Sequence, residues 1–249
     1  MTAPVHRAII LAAGMGTRLR ATVDDRPKGL IEIDGETLVG RSIRRLRAAG
    51  IRKTTLVVGF RADLYERFAA SLEDVSLVMN GAFANTGSMA SLASALESTD
   101  EDVLVLESDI VYEPRALTAL LDQAHPDSTL LSGPTAAGDE VWVHAPDGYV
   151  QAMSKQIDEL PGAAGEFVGV TRLSRGGCAT MREAFTGFVH RYGHARMDYE
   201  TGALVEAAGQ RPVAAIVVPD LIWGEIDDDR QLARVVQDVW PRCRAGDHD

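Results

Sequence analysis

Leu11-Ala12-Ala13-Gly14-Met15-Gly16-Thr17-Arg18-Leu19-Arg20, followed by Arg26-Pro27-Lys28, decides the reading of this chain. The run Arg7–Ala12 ahead of the glycines reads as a buried first strand, and Gly14 and Gly16 form the turn that leaves it. Glycines at such a turn let backbone N–H groups approach a polyphosphate with no Cβ in the way. Arg7, Arg18, Arg20, Arg26 and Lys28 concentrate positive charge in this stretch, which suits a nucleoside triphosphate. Two common nucleotide motifs are absent. A dinucleotide fingerprint needs a third glycine where Leu19 stands, and no Gly-Lys-Ser/Thr follows as in a P-loop.

Outward from this loop, short apolar runs alternate with amphipathic stretches. Strands are expected at Arg7–Ala12, Thr54–Val58, Val75–Met79, Val103–Glu107, Thr129–Ser132, Val141–His144, Phe167–Leu173 and Val213–Val218. Their Val, Leu and Ile content is that of strands buried on both faces. Thr37–Ala49 puts Val39, Ile43, Leu46 and Ala49 on one helix face and stops at Gly50, a natural C-terminal cap. Leu232, Val235, Val236 and Val239 make a second such face. The first half therefore reads β-α-β-α-β-α-β, a parallel sheet with right-handed crossovers. The expected fold is α/β, a Rossmann-like mostly parallel sheet flanked by helices. A small antiparallel β lid is inserted at about 134–175, within one domain spanning 1–249. The tail Arg244–Asp249 is polar and expected to fray.

The chain has 249 residues, 25 Lys plus Arg against 36 Asp plus Glu, and a formal net charge of −11. Its 46% hydrophobic content supplies a core without disulfides or metal staples. The acidic balance argues against non-specific binding to nucleic acid or anionic membranes. Cys178 and Cys243 stand far apart, with no zinc-ligand spacing, and read as reduced thiols of a cytoplasmic protein. No apolar run reaches the length of a membrane span. The six histidines pair at no metal-ligand spacing and are expected on the surface or in loops.

The run Leu-Ala-Ala-Gly-Met-Gly-Thr-Arg-Leu with Pro27-Lys28 resembles the signature of the nucleotidyltransferase family that includes the sugar-1-phosphate nucleotidylyltransferases. The resemblance extends to about Val239. Within that family the chain is most similar to the small cytidylyltransferases acting on phosphocholine and on phosphonates. The stretches that carry this are Asn80–Leu92, Leu106-Glu107-Ser108-Asp109, Met153-Ser154-Lys155, Gly165–Gly169 and Trp223–Asp228. The phosphonate branch is the closer, because Gly87-Ser88 stands where phosphocholine enzymes often carry Asn-Asn. The resemblance implies a Rossmann-like fold, CTP and a small phosphonate as substrates, Mg²⁺ as cofactor, and often a homodimer. It also implies that residues 11–17 wrap the triphosphate, that Arg18 and Lys28 contact phosphates, and that Asn80, Gly87 and Ser88 lie near cytosine and ribose.

Asp109 ends an apolar run at the C-terminal end of an expected parallel strand, where ligands of open α/β sheets bind. Its hard oxygens suit a divalent cation. Asp227 precedes a helix, where capping is an equally simple role, although Asp229 is the better cap. The resemblance maps Asp109 and Asp227 onto the family's two metal-binding aspartates. Glu107 alternates with Asp109 on the strand, and whether Glu107, Asp228 or Glu225 joins the metal is left open. Lys155 is the candidate for gripping the acceptor's phosphonate, with Glu166, Tyr199 and Glu200 as further acceptor contacts. Trp142 is a further acceptor-pocket candidate, although a tryptophan in this alternating run is more often core than a ligand contact. The nucleophile of such a transfer is an already anionic oxygen, so no general base is needed. A phosphocholine cytidylyltransferase, a sugar-1-phosphate nucleotidylyltransferase and a non-catalytic nucleotide-binding regulator are the rival readings.

Overall fold

The computed structural model describes residues 4–19 and 25–245. Arg20 of the basic stretch, and the tail beyond Ala245 with His248, lie outside the described residues. Of the expected frayed tail, Arg244 and Ala245 instead close the last helix, where the Arg244 guanidinium donates to Asp34 at 2.6 Å.

Strand β1 (Arg7–Ala12) runs into the glycine loop. A small hairpin of β2 (Glu32–Ile33) and β3 (Glu36–Thr37) leads to α1 (Leu38–Ala48). The Thr37 hydroxyl accepts from the Gly40 N–H at the start of α1, and Gly50, at φ +87°, turns the chain after its end. Then follow β4 (Lys53–Val58), α2 (Ala62–Ala69), β5 (Val75–Met79), α3 (Ser88–Leu96) and β6 (Val103–Glu107). β6, β1, β4 and β5 lie side by side and parallel, as the alternating pattern predicts. Along β1, Ala8, Ile10 and Ala12 face a core packed by α1 and α2, while Ile9 faces a second core packed by α3.

The second half departs from that pattern. β7 (Ile110–Tyr112), α4 (Arg115–Leu121), β8 (Ser128–Ser132), β9 (Trp142–His144), β10 (Ala152–Ser154) and β11 (Gly165–Leu173) come next. Residues 134–175, read from sequence as a lid over the sheet, contribute β9, β10 and β11 to the sheet itself. β11 is a central strand, antiparallel to β6 on one edge and to β8 on the other. Along the β6 edge its first residues, Gly165 and Glu166, pair with β9, and Val170–Leu173 pair with β6. The ladder is irregular between Phe167 and Thr171. There Gly169 sits at φ +82°, and a Cβ on it would lie 2.8 Å from a Glu107 carboxylate oxygen. The glycine therefore lets the end of β6 tuck against the bulge.

The chain continues through α5 (Arg175–Tyr192), a π-helical turn at Tyr199–Leu204, α6 (Val205–Ala208), β12 (Ala214–Val218), β13 (Trp223–Glu225), α7 (Asp229–Arg234), a second π-helical turn at Val235–Val239 and α8 (Trp240–Ala245). Val235 and Val239 pack into a third core with Leu19, Leu38 and Trp240. Val236, expected on the same face, is 43% exposed, because the wider turn rotates it outward. His190 is exposed on α5, as expected, whereas His144 is half-buried within β9. No described helix is long and apolar enough to cross a membrane.

Candidate active site

Asp109 follows β6 directly, at the bend into β7. β7 pairs antiparallel with β13, Ile110 opposite Glu225 and Tyr112 opposite Trp223. The ladder continues one step further, where the Ile226 N–H donates to the Asp109 carbonyl at 3.0 Å. That pairing carries Asp227 to Asp109 from the far end of the chain. The Asp227 N–H is held by the Gln231 side chain at 2.5 Å. The cap of α7 is Asp228, whose carboxylate accepts from the Gln231 N–H at 2.8 Å. This corrects the expectation of Asp229, which is the first residue inside the helix.

The Lys28 ammonium reaches both aspartates. It donates to Asp109 Oδ2 at 2.8 Å and to Asp227 Oδ1, while Arg18 pairs with Asp227 Oδ2. Burial alone would lower the Lys28 pKa, but Asp109 and then Glu225 more than offset it, and the net shift is upward. Leu19, fully buried in the third core, anchors the loop behind Arg18.

Two cavities flank these groups and share Glu107 and Glu225 as a wall. The first, of about 230 Å³, opens over the glycine loop. Leu11, Ala13, Gly14, Gly87, Ser88 and Asp109 line it, all expected from the sequence, and Phe83, Thr86 and Ser91 line it unforeseen. Ala12 is buried in the sheet, and Met15 and Thr17 sit on the outer side of the loop. Gly16 packs on the Lys28 stem. Asn80, expected beside the base, is buried, with its amide donating to Thr86 and Ser91 and its oxygen accepting from the Ala82 N–H, each at 3.0 Å. Its bonding capacity is largely spent on shaping the loop, so it positions the cavity wall rather than lining the cavity.

The second cavity, of about 340 Å³, is lined by Lys155, Glu166 and Glu200, as expected, and by Asp139, Glu140 and Arg234, which were not singled out. Glu166 is buried and accepts from the Thr135 N–H at 2.7 Å and hydroxyl at 2.8 Å; burial nevertheless pushes its pKa up to about 6. Tyr199 corrects its expected role as an acceptor contact. It is fully buried, edge-on to Phe167, and lines neither cavity. Its N–H and the Glu200 carboxylate instead both meet the Ser88 hydroxyl, at 2.8 and 3.4 Å, which ties the two cavities together. Trp142 is half-buried in β9 and outside both cavities.

Carboxylates crowd the shared wall. Oxygens of Glu107, Asp109 and Glu225, and likewise of Asp139, Glu225 and Asp227, lie within 4.8 Å of one another. Burial and then Asp109 push Glu225 up to about 8, and burial and then Glu225 raise Glu107 well above the usual carboxylate range. Lys28 offsets only part of this mutual repulsion, and the all-oxygen donor set fits a hard divalent cation. Glu225, left open from the sequence, ends β13 two residues before Asp227 and stands in both clusters; Asp139 gave no local signal.

The sequence pattern of the family described as MobA-like NTP transferase domain matches residues 8–176. The chain belongs to this family. Among curated relatives, CMP-5'-(3-aminopropyl)phosphonate synthase of Streptomyces rubellomurinus is 29% identical over 240 residues, covering 89% of this chain and 37% of the synthase. The 2-aminoethylphosphonate cytidylyltransferase of Lancefieldella rimae is 29% identical over 119 residues, 43% of this chain and 47% of that enzyme. The chain thus spans less than half the length of these curated relatives in the matched regions. The inositol-1-phosphate CTP transferase of T. maritima superposes with a TM-score of 0.80 at 20% identity, over 99% of both chains. The CTP:phosphocholine cytidylyltransferase of Streptococcus pneumoniae does so with 0.77 at 20% identity, over 94% of this chain and 99% of that one. Both establish the fold: a mostly parallel sheet flanked by helices, as in nucleotide-diphospho-sugar transferases.

Proposed function

We propose that this MobA-like protein is a Mg²⁺-dependent cytidylyltransferase that couples CTP to a small phosphonate bearing an amine. The observation that carries the reading is the convergence of Asp109 and Asp227 with Lys28 and Arg18 at the junction of two adjoining cavities. The glycine-loop cavity takes the nucleotide and the 340 Å³ cavity takes the acceptor. A phosphonate oxygen attacks the α-phosphorus, the bond to the β-phosphate oxygen breaks, and CMP-phosphonate and pyrophosphate leave. The attacking oxygen is anionic near neutral pH, so the task of the protein is to hold two anions together.

Asp109 and Asp227 would hold the cation, with Glu225 or Glu107 beside them. When bound it supplies charge neutralisation at the α-phosphoryl group. Arg18 and Lys28 hold the triphosphate and the departing pyrophosphate. Lys155 and Arg234 face the acceptor's phosphonate. Seven carboxyl groups line the acceptor cavity against three cations, Arg18, Lys155 and Arg234, and an acidic surplus remains when Glu107 and Glu225, both raised by burial, are left out. That surplus favours an acceptor with a cationic end and disfavours a second anionic group. The names of the two phosphonate relatives point the same way.

Pyrophosphate release from CTP and Mg²⁺ tests the reading, with aminoalkyl, N-acetylated aminoalkyl, hydroxyalkyl and carboxyalkyl phosphonates, phosphocholine and sugar 1-phosphates as acceptors. Turnover is expected with CTP over other nucleotides and with aminoalkyl phosphonates over the rest. Preference for a sugar 1-phosphate would overturn the acceptor, and silence across the panel would overturn the enzyme.

A further inference from the structure

One cation already bridges the two aspartates. Lys28 Nζ donates to Asp109 Oδ2 at 2.8 Å and to Asp227 Oδ1. The position is built rather than incidental. Gly16, at φ +56°, lies on the Lys28 stem so closely that a Cβ there would fall 3.1 Å from Lys28 Cγ. The next residue, Gly29, is wedged among Tyr65, Val39 and Ser108, and a Cβ on it would fall 2.7 Å from the Tyr65 hydroxyl. The Lys28 side chain is only 18% exposed. Arg18, 59% exposed, closes on the second oxygen of Asp227 from the solvent side.

A divalent ion bound to Asp109 Oδ2 and Asp227 Oδ1 would take the oxygens that the ammonium now uses. The two cations compete for the same donors and repel each other over a short distance. A triphosphate on the glycine loop offers Lys28 and Arg18 other anionic oxygens.

Resting on the proposed reading that these aspartates hold the metal, we infer that Lys28 is a placeholder for it. In the nucleotide-free protein Lys28 bridges Asp109 and Asp227. Its transfer to the triphosphate frees both carboxylates, so nucleotide and metal bind with positive coupling. The coupling is reciprocal by necessity. It keeps the carboxylates balanced in the resting protein and ties their availability to a loaded nucleotide.

Mn²⁺ titration of the nucleotide-free protein, read from the free-ion paramagnetic resonance signal, tests this. Lys28→Met keeps the stem packed on Gly16 and removes the charge. It is expected to bind Mn²⁺ on the order of tenfold or more tighter than wild type, within the usual range of such couplings. Adding Asp109→Asn to Lys28→Met should abolish the gain. In thermal melts Mn²⁺ should raise the midpoint of Lys28→Met more than that of wild type. If Lys28→Met folds poorly, Lys28→Gln carries the same expectation. Equal Mn²⁺ affinity in wild type and a folded Lys28 variant overturns the placeholder, and with CTP turnover intact in wild type the proposed activity survives. No measurable Mn²⁺ binding in any form overturns both the placeholder and the metal assignment.

Discussion

The Ile226 N–H donates to the Asp109 carbonyl at 3.0 Å, closing the β7–β13 ladder immediately before Asp227. Backbone pairing, not the ion pairs, therefore brings the two acidic side chains together. The separation of roles has consequences for mutation.

Asp109→Asn and Asp227→Asn should each lower pyrophosphate release by about 10²–10³, the scale of losing one strong charge-stabilising group. Melting temperatures should stay within a few degrees of wild type by calorimetry, because the ladder is backbone and, in Asp109→Asn, Glu225 loses a repelling neighbour. Loss of activity accompanied by collapse of the fold would contradict this division.

Glu200 faces the acceptor cavity, where its carboxylate accepts from the Ser88 hydroxyl at 3.4 Å and is attracted by Lys155. Glu200→Gln should raise KM for an aminoalkyl phosphonate about tenfold, the order expected for losing a charge-assisted contact. KM for CTP should stay near wild type. A parallel rise in both would place Glu200 in nucleotide binding.

Two glycines of the nucleotide cavity should respond oppositely to the same change. A Cβ at Gly14 meets nothing within 4 Å, whereas one at Gly87 collides with the Met197 backbone. Gly14→Ala should leave the melting temperature unchanged and raise KM for CTP. Gly87→Ala should cost about 1–3 kcal/mol of stability, the range for overpacking, as measured by urea unfolding.

The Glu166 carboxyl, raised by burial to about 6 from an ordinary 4.5, sets a pH signature. A raised carboxyl is protonated more readily in the folded state. Its stabilising contribution is full below pH 4.5 and is lost as pH rises through 6. The shift corresponds to about 2 kcal/mol. Urea unfolding across this window should show wild type losing that stability relative to Glu166→Gln, whose difference curve flattens above it. A pH-independent difference would sink the assignment.

Much of the fold was legible because buried parallel strands write themselves as continuous apolar runs. β1, β5 and β6 begin and end where the pattern placed them. That strands of the 134–175 insertion join the main sheet was not legible, for a physical reason. An antiparallel strand buried on both faces, as β11 is along its length, looks in sequence like any other apolar segment. Nothing local says that it docks beside β6. Tyr199 was misassigned on similar grounds: its neighbour Glu200 reaches the cavity, but the π-helical turn points the Tyr199 ring into the core.

Sequence alone determined the glycine cradle and its basic residues, because these rest on residue chemistry at short spacing, and the resemblance to the nucleotidyltransferases singled out Asp109 and Asp227. Tertiary structure alone decided that Lys28 stands between those two acids and that Glu225 and Asp139 join them. It also decided that the Asn80 side chain is buried and bonded to Thr86, Ser91 and Ala82. Those facts depend on which distant strands share hydrogen bonds, and pairing across the chain is settled by burial and register over the whole sheet, not by the periodicity of any one segment.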